Sequence, residues 1–122
     1  MFTIRKSFEI SASHCLSHLP ANHPCSRTHG HNYVITVELA DKANQPKDLP
    51  GDGFVLDYRK LETAKALIEQ LDHQHLNDHL SSTTSEHIAY TLYNSLKRHY
   101  HNLQAIEVSE TPKTTCRYEP RS

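Results

Sequence analysis

Three histidines and a cysteine are the residues in this chain best suited to chemistry. The segment Cys25–His31 reads Cys-Ser-Arg-Thr-His-Gly-His. Two histidines one residue apart on a strand project side by side from one face. His14 lies at the end of the preceding predicted strand, on its inward face. Zinc binds imidazole nitrogen, and three protein ligands with an open position are typical of a catalytic site. The pattern predicts a zinc ion held by His14, His29 and His31.

Cys25 has two functional interpretations. It is either a fourth zinc ligand that closes a structural site, or a base or nucleophile beside the metal, where positive charge favours the thiolate. The polar run Pro24–Thr28 argues against a buried, purely structural cysteine. Cys15 and Cys116 lack such surroundings, and we expect both to be structural. Three cysteines, an odd number, argue against a disulfide framework.

Asp72 and His73 form a second candidate pair, just past the first predicted helix. Adjacent residues within a helix do not face each other, so the helix must end before them if they act together. A carboxylate beside an imidazole orients the ring and raises its pKa, which suits acid–base catalysis. The alternative is a polar helix end, where histidine interacts favourably with the helix dipole.

Glu110 shares its parity with Ile106 and Val108 and should therefore point inward from a strand end. There its carboxylate could accept hydrogen bonds from two neighbouring N–H groups of a heterocycle. The alternative is a strand-end glutamate turned to solvent. Glu86 has a simpler explanation, because Thr83 and Glu86 fit the two ends of a capping box.

Alternation of apolar residues predicts the strands, and a period of 3.6 predicts the helices. The predicted elements are strands at 2–14, 29–39, 103–110 and 114–118 and helices at about 61–71 and 84–100. Asp57 is the predicted N-cap before the first helix, with Leu56 and Leu61 as its hydrophobic staple. Residues 41–53, rich in proline and glycine, should form a loop.

The order β-β-α-α-β-β indicates an α+β domain, with an antiparallel sheet and both helices on one face. Two helices leave the other face and the edges of a four-stranded sheet uncovered. We therefore expect an oligomer.

Length and charge restrict the function further. The 122 residues suit one domain, residues 1–122. Thirteen basic and 14 acidic residues give a net charge of −1, which argues against a broad face for nucleic acid or a polybasic membrane anchor. No apolar run is long enough for a membrane helix. The N-terminus carries no apolar signal sequence, so we expect a cytoplasmic protein.

Six segments resemble the 6-pyruvoyl-tetrahydropterin synthase family, and especially its bacterial 6-carboxy-tetrahydropterin synthase branch in queuosine biosynthesis. The segments are Phe8–His14, Cys25–Asn32, Gly53–Tyr58, Leu71–His73, Thr84–Glu86 and Val108–Thr111. The resemblance implies the tunnelling fold (T-fold), in which subunits join their sheets into a barrel, usually a trimer stacked into a hexamer.

The resemblance also implies a role for each matching residue. Zinc would be bound by His14, His29 and His31. Cys25 would be the catalytic base, with Asp72 and His73 as an acid–base pair contributed across a subunit interface. Glu110 would anchor the pterin, in a pocket lined by Thr84, Ser85 and Glu86. Arg27 is a candidate contact for phosphate, although it could equally be an ordinary surface arginine.

The implied reaction converts 7,8-dihydroneopterin triphosphate to 6-carboxy-5,6,7,8-tetrahydropterin and makes the protein a lyase. Three residues separate Cys25 from His29, and this short spacing favours the carboxy-forming branch over the pyruvoyl-forming one. Three alternatives remain at this point. They are the pyruvoyl-forming reaction, a non-catalytic domain stabilised by zinc, and a role for His75 in place of His73.

Overall fold

The computed structural model describes residues 1–51 and 53–121. Within the predicted loop 41–53, residue 52 therefore lies outside the described residues. The strands are β1 (Phe2–His14), β2 (His29–Asp41), β3 (Leu103–Thr111) and β4 (Thr114–Tyr118), and the helices are α1 (Glu62–Glu69) and α2 (Ser85–Lys97). Short 3-10 turns occur at Pro24–Ser26, Pro46–Asp48, Tyr58–Leu61 and Leu76–Asp78. The predicted order β-β-α-α-β-β is confirmed.

The four strands form one antiparallel sheet in the order β1-β2-β3-β4. β1 and β2 pair along their whole length, from Phe2 opposite Asp41 to His14 opposite His29. β3 then pairs with the other edge of β2, with Ile35 opposite Val108. The register brings the end of β1, the start of β2 and the end of β3 to the same end of the sheet.

One face of the sheet forms the core with both helices. The strand residues of this face and the inward residues of the helices belong to a single buried cluster, which includes Ile10, Tyr33, Ile35, Ile106, Ala64, Ile68, Ile88, Leu92 and Leu96. Every odd position from Tyr33 to Leu39 is fully buried. The predicted inward faces of β1, β2 and α2 are therefore confirmed, and burying these side chains stabilises the sheet against the helices.

In the part of the chain that the structure describes, no helix packs on the opposite face of the sheet, and this face carries a network of charged side chains. Glu38, only 7% exposed, accepts hydrogen bonds from Arg117 at 2.6 Å and from Arg5 at 2.9 Å. Arg117 also donates to Glu107 at 3.0 Å. Charged side chains thus satisfy one another across the four strands of the uncovered face. The oligomer expected from the uncovered face, and the barrel that the family resemblance implies, remain predictions.

The helix starts differ in detail from the predictions. Thr84, not Thr83, caps α2, because its hydroxyl accepts from the backbone N–H of His87. The predicted capping box between Thr83 and Glu86 was therefore wrong, because Thr83 is buried and its hydroxyl donates to the carbonyl of Cys15. Asp57 does cap a helical turn, the 3-10 turn that leads into α1.

Among residues 1–51 and 53–121, no helix has the length and apolarity needed to cross a membrane.

Candidate active site

The three predicted metal ligands meet at one end of the sheet. One ring nitrogen from each of His14, His29 and His31 lies within 4.8 Å of the others. The strand pairing explains this arrangement, because His14 lies opposite His29 and His31 is two residues further along the same face of β2. The rings pack edge to face, with centroids 4.4 to 5.1 Å apart.

Backbone carbonyl groups orient two of the three rings. The Nδ1 atom of His14 donates to the carbonyl oxygen of Thr83 at 2.8 Å, and Nδ1 of His29 donates to the carbonyl of Arg27 at 2.7 Å. These bonds fix the tautomer and leave both Nε2 atoms as acceptors. Burial also lowers the pKa of His14. The neutral imidazole, which is the form that binds metal, is therefore favoured.

The donor set fits a zinc ion. Within the described part of the chain, the Nε2 atoms of His14 and His31 are buried and have no hydrogen-bond partner. Such unpaired atoms are costly unless a ligand satisfies them. Three imidazoles form the group, and Cys25 is not part of it. The arrangement matches a three-ligand site with an open position rather than a closed four-ligand site.

Cys25 is half-buried in the 3-10 turn Pro24–Ser26, just before β2. Its carbonyl accepts from the backbone N–H of Leu16 at 2.8 Å, and its own N–H donates to Nδ1 of His23 at 3.1 Å. The turn is thereby tied to the chain two residues after His14. Cys25 is thus held by the chain segment that follows His14, and it does not belong to the group of three histidines.

Asp72 and His73 do form a pair, and α1 ends before them, at Glu69. Nδ1 of His73 lies 3.1 Å from Oδ2 of Asp72. The backbone of Ser11 holds both residues: its N–H donates to Oδ1 of Asp72 at 2.8 Å, and its carbonyl accepts from the N–H of His73 at 2.6 Å. The hydrogen bond from Ser11, more than the neighbouring imidazole, lowers the pKa of Asp72.

His73 adopts a left-handed backbone conformation, with φ of 59°. This conformation is uncommon outside glycine and is concentrated at functional sites. The side chain of His73 is 81% exposed, so its second ring nitrogen is open to a partner outside the pair. His75, by contrast, is half-buried and hydrogen-bonded through Nδ1 to the hydroxyl of Ser13 at 2.9 Å.

Glu110 points to the helix side of the sheet, as its parity predicted. Its Oε1 accepts from the hydroxyl of Ser85 at 3.0 Å, and its Oε2 lies 3.7 Å from Nε2 of His31. The hydroxyl of Thr84 meets Nδ1 of His87 at 2.6 Å. The hydroxyl of Ser85, in the first turn of α2, therefore anchors the carboxylate beside the histidine cluster.

Arg27 and Glu86 are less closely tied to the site. The side chain of Arg27 is exposed, and its backbone carbonyl accepts the hydrogen bond from Nδ1 of His29. Glu86 is exposed as well, and its charge helps to raise the pKa of the Cys116 thiol, although burial has the larger effect.

Two clefts flank His31. One of about 430 Å³ is also lined by His73, and one of about 600 Å³ is also lined by Glu110.

Comparison with known families agrees with this geometry. The 6-pyruvoyl tetrahydropterin synthase family matches residues 3–121. The chain belongs to this family. Its members are pterin synthases, and the family match covers all three histidines, Cys25, the Asp72–His73 pair and Glu110.

Individual relatives extend the family match. The chain is 30% identical to 6-carboxy-5,6,7,8-tetrahydropterin synthase of Bacillus subtilis, over 98% of this chain and 86% of the relative. It is 28% identical to a putative protein of the same name from Archaeoglobus fulgidus, over 83% and 84%. Among solved structures, 6-pyruvoyl tetrahydropterin synthase of Caenorhabditis elegans superposes with a TM-score of 0.82 at 27% identity, over 98% and 96% of the two chains.

In this member of the family, four residues shape the site although sequence patterns did not reveal them. Ser11 holds Asp72 and His73 through its backbone, and the side chains of Asn77 and Thr83 bond to the backbone of Cys15, next to His14. These contacts follow from the path of the chain and leave no signal in residue spacing. Tyr33 was predicted only as a core residue. Its fully buried ring packs against His14 and His31, and its hydroxyl has no partner among the described residues.

Proposed function

We propose that the protein is a zinc-dependent 6-carboxy-5,6,7,8-tetrahydropterin synthase that acts on 7,8-dihydroneopterin triphosphate. The observation that carries the proposal is the cluster of His14, His29 and His31, with unpaired ring nitrogens, beside the carboxylate of Glu110. A metal ion and a nitrogen heterocycle would be bound side by side there. The atoms balance when one water enters and acetaldehyde and triphosphate leave.

Glu110 is the proposed anchor of the pterin ring. A pterin presents an amino group and a ring N–H next to each other, and a carboxylate can accept from both with charge-assisted hydrogen bonds. Ser85 already donates to one oxygen of Glu110 and so fixes the carboxylate. Thr84 and Glu86 flank Ser85 at the start of α2, where the pocket wall is expected.

Bound zinc would act as a Lewis acid that lowers the pKa of the substrate's side-chain hydroxyl groups. Cys25, as the thiolate, removes the proton from the side-chain carbon next to the ring. His73, oriented by Asp72, transfers a proton at the side chain. Proton movement lets the ring C=N bond gain electrons while the side chain is oxidised, so no external oxidant is required. Arg27 is the proposed contact for the triphosphate.

The carboxy-forming product is supported by the short spacing from Cys25 to His29 and by the names of the relatives from B. subtilis and A. fulgidus. Formation of 6-pyruvoyl-tetrahydropterin, by loss of triphosphate alone, is the second candidate because the C. elegans relative carries that name. The carboxy-forming reaction would place the protein in queuosine biosynthesis.

We also propose that the active form is a trimer or a hexamer. His73 is largely exposed and is held on the outer edge of β1, where it can serve the metal site of a neighbouring subunit. β1 and β4 are the edge strands of the sheet, where strands of a neighbouring subunit could pair, although residues 73–75 already cover β1 at Ser11 and Ser13. Each complete site would then combine the histidine cluster of one chain with the Asp72–His73 pair of another.

Cys25→Ala distinguishes the enzyme from a zinc-stabilised binding domain. In the enzyme, the variant should keep its zinc and its melting temperature and lose turnover, because Cys25 lies outside the metal-binding group. Cys116→Ala, at a half-buried cysteine on β4, is the matched control and should keep its zinc, its melting temperature and its turnover. Loss of zinc together with stability in Cys25→Ala would favour the structural, non-catalytic alternative.

A further inference from the structure

The backbone that follows His14 is clamped by a side chain from outside the sheet. Oδ1 of Asn77 accepts from the N–H of Cys15 at 2.9 Å, and Nδ2 of Asn77 donates to the carbonyl of Cys15 at 2.9 Å. Asparagine can make both bonds because its amide carries an acceptor and a donor side by side. Asn77 thus continues the hydrogen bonding of β1 for one residue beyond His14.

The same peptide is linked to the group that orients the His14 ring. Thr83 is 1% exposed, and its hydroxyl donates to the carbonyl of Cys15 at 3.3 Å while its own carbonyl accepts from Nδ1 of His14. Cys15, Thr83 and His14 therefore form a closed loop of contacts. Because Asn77 bonds to the same carbonyl and also to the N–H of Cys15, the position of the His14 ring depends on Asn77 although the two side chains need not touch.

We infer that Asn77 is a positioning residue for zinc binding at His14. The inference rests on the proposed zinc site and adds a residue to it. Ligand nitrogens must converge at about 2.0–2.1 Å from the ion, so small shifts of a ligand's backbone matter. Groups that orient a metal ligand without touching the ion commonly affect metal affinity 10–100-fold. His14 is the most buried of the three ligands and has the least freedom to readjust.

The test compares Asn77→Ala with Asn102→Ala. Asn102 also donates its side-chain amide to a backbone carbonyl, that of Val55, at 3.1 Å, but it precedes β3 at the opposite end of the sheet. Both variants should lower the melting temperature. Zinc affinity, measured by competition with a chromogenic chelator, should fall about tenfold or more in Asn77→Ala alone. Asn77→Asp keeps the shape of the side chain and the acceptor for the N–H of Cys15 but loses the donor to the Cys15 carbonyl. It should also bind zinc more weakly, and it replaces the alanine variant in the test if that variant does not fold.

A spectroscopic readout separates positioning from general stability. Cobalt(II) substituted for zinc has visible absorption bands that respond to ligand geometry. These bands should shift or weaken in the Asn77 variants and stay unchanged in Asn102→Ala. Unchanged zinc affinity and cobalt spectra in the Asn77 variants would overturn the inference and leave the proposed function intact. Failure of the unaltered protein to bind zinc at all would overturn both.

Discussion

Nε2 of His31 lies 3.7 Å from Oε2 of Glu110, so a proposed metal ligand and the proposed pterin anchor border one space. The two residues come from neighbouring strands, β2 and β3. The hydrogen bond from Ser85 to the other oxygen of Glu110 ties this space to the start of α2. A substrate that reaches both the metal and the carboxylate would thus be held between the sheet and the helix.

Removal of one imidazole should abolish zinc binding. We expect His31→Ala to lose stoichiometric zinc, because two remaining histidines leave too few ligands for a stable site. His99→Ala, at an exposed histidine after α2, is the control and should retain one zinc per chain. Metal analysis of the purified proteins checks this, and full zinc in His31→Ala would contradict the assigned ligands.

Replacement of one carboxylate oxygen of Glu110 by an NH2 group should impair substrate binding but not metal binding. In Glu110→Gln an N–H group would face an N–H group of the pterin, and such an unmade buried bond costs about 1–3 kcal/mol. Substrate binding or turnover should fall roughly ten- to a hundredfold or more, with zinc content and oligomer size unchanged. Wild-type kinetic constants in this variant would show that the carboxylate does not contact substrate.

The sequence predicted the parts of the site that follow from periodicity. The parity of His14, His29 and His31 places them on one face of paired strands, and Glu110 follows from the same rule. The clamp made by Asn77 and the buried carbonyl of Thr83 depend on how residues 72–83 run along the edge of β1. That path is set by tertiary contacts, such as the bond between Ser13 N–H and the carbonyl of Gln74 at 3.0 Å, and leaves no periodic pattern.

The capping box failed for a related physical reason. Thr83 and Thr84 are equally good caps by residue type. The hydroxyl of Thr83 donates to the carbonyl of Cys15 in the interior, which leaves Thr84 to cap α2.

The charge network on the polar face of the sheet was also not predicted from the sequence, because it depends on strand pairing that brings Arg5, Glu38 and Arg117 together from three strands.

Mixed oligomers test whether sites are shared between chains. Cys25→Ala and His73→Ala chains should each be inactive, since each lacks one proposed catalytic residue. After dissociation and reassembly together, some sites would combine an intact histidine cluster and Cys25 from one chain with an intact Asp72–His73 pair from another. Turnover should therefore reappear. No recovery after confirmed subunit exchange would indicate that His73 acts within its own chain, across the cleft it shares with His31.

The charge network on the uncovered sheet face should make stability depend on acid pH. Hydrogen bonds from Arg117, and then from Arg5, hold the pKa of Glu38 below its usual range. A carboxyl group with a lowered folded-state pKa stabilises the fold above its unfolded pKa of about 4.3, and this stability is lost as pH falls through the lower folded value.

Arg117→Met should therefore destabilise the protein by about 1–3 kcal/mol at pH 7 and reduce the loss of stability on acidification. Arg59→Met, which removes an exposed partner of Asp57, is the control and should change little. Urea denaturation at pH 7 and at pH 4 measures both effects. Equal stability of Arg117→Met and the unaltered protein at pH 7 would show that the network contributes nothing.

Product analysis tests the proposed function most directly. The zinc-loaded protein is incubated with 7,8-dihydroneopterin triphosphate, and the products are identified by mass spectrometry, with Cys25→Ala as the inactive control. We predict 6-carboxy-5,6,7,8-tetrahydropterin together with acetaldehyde and triphosphate. Formation of 6-pyruvoyl-tetrahydropterin with triphosphate alone, or recovery of unchanged substrate, would contradict the proposed function.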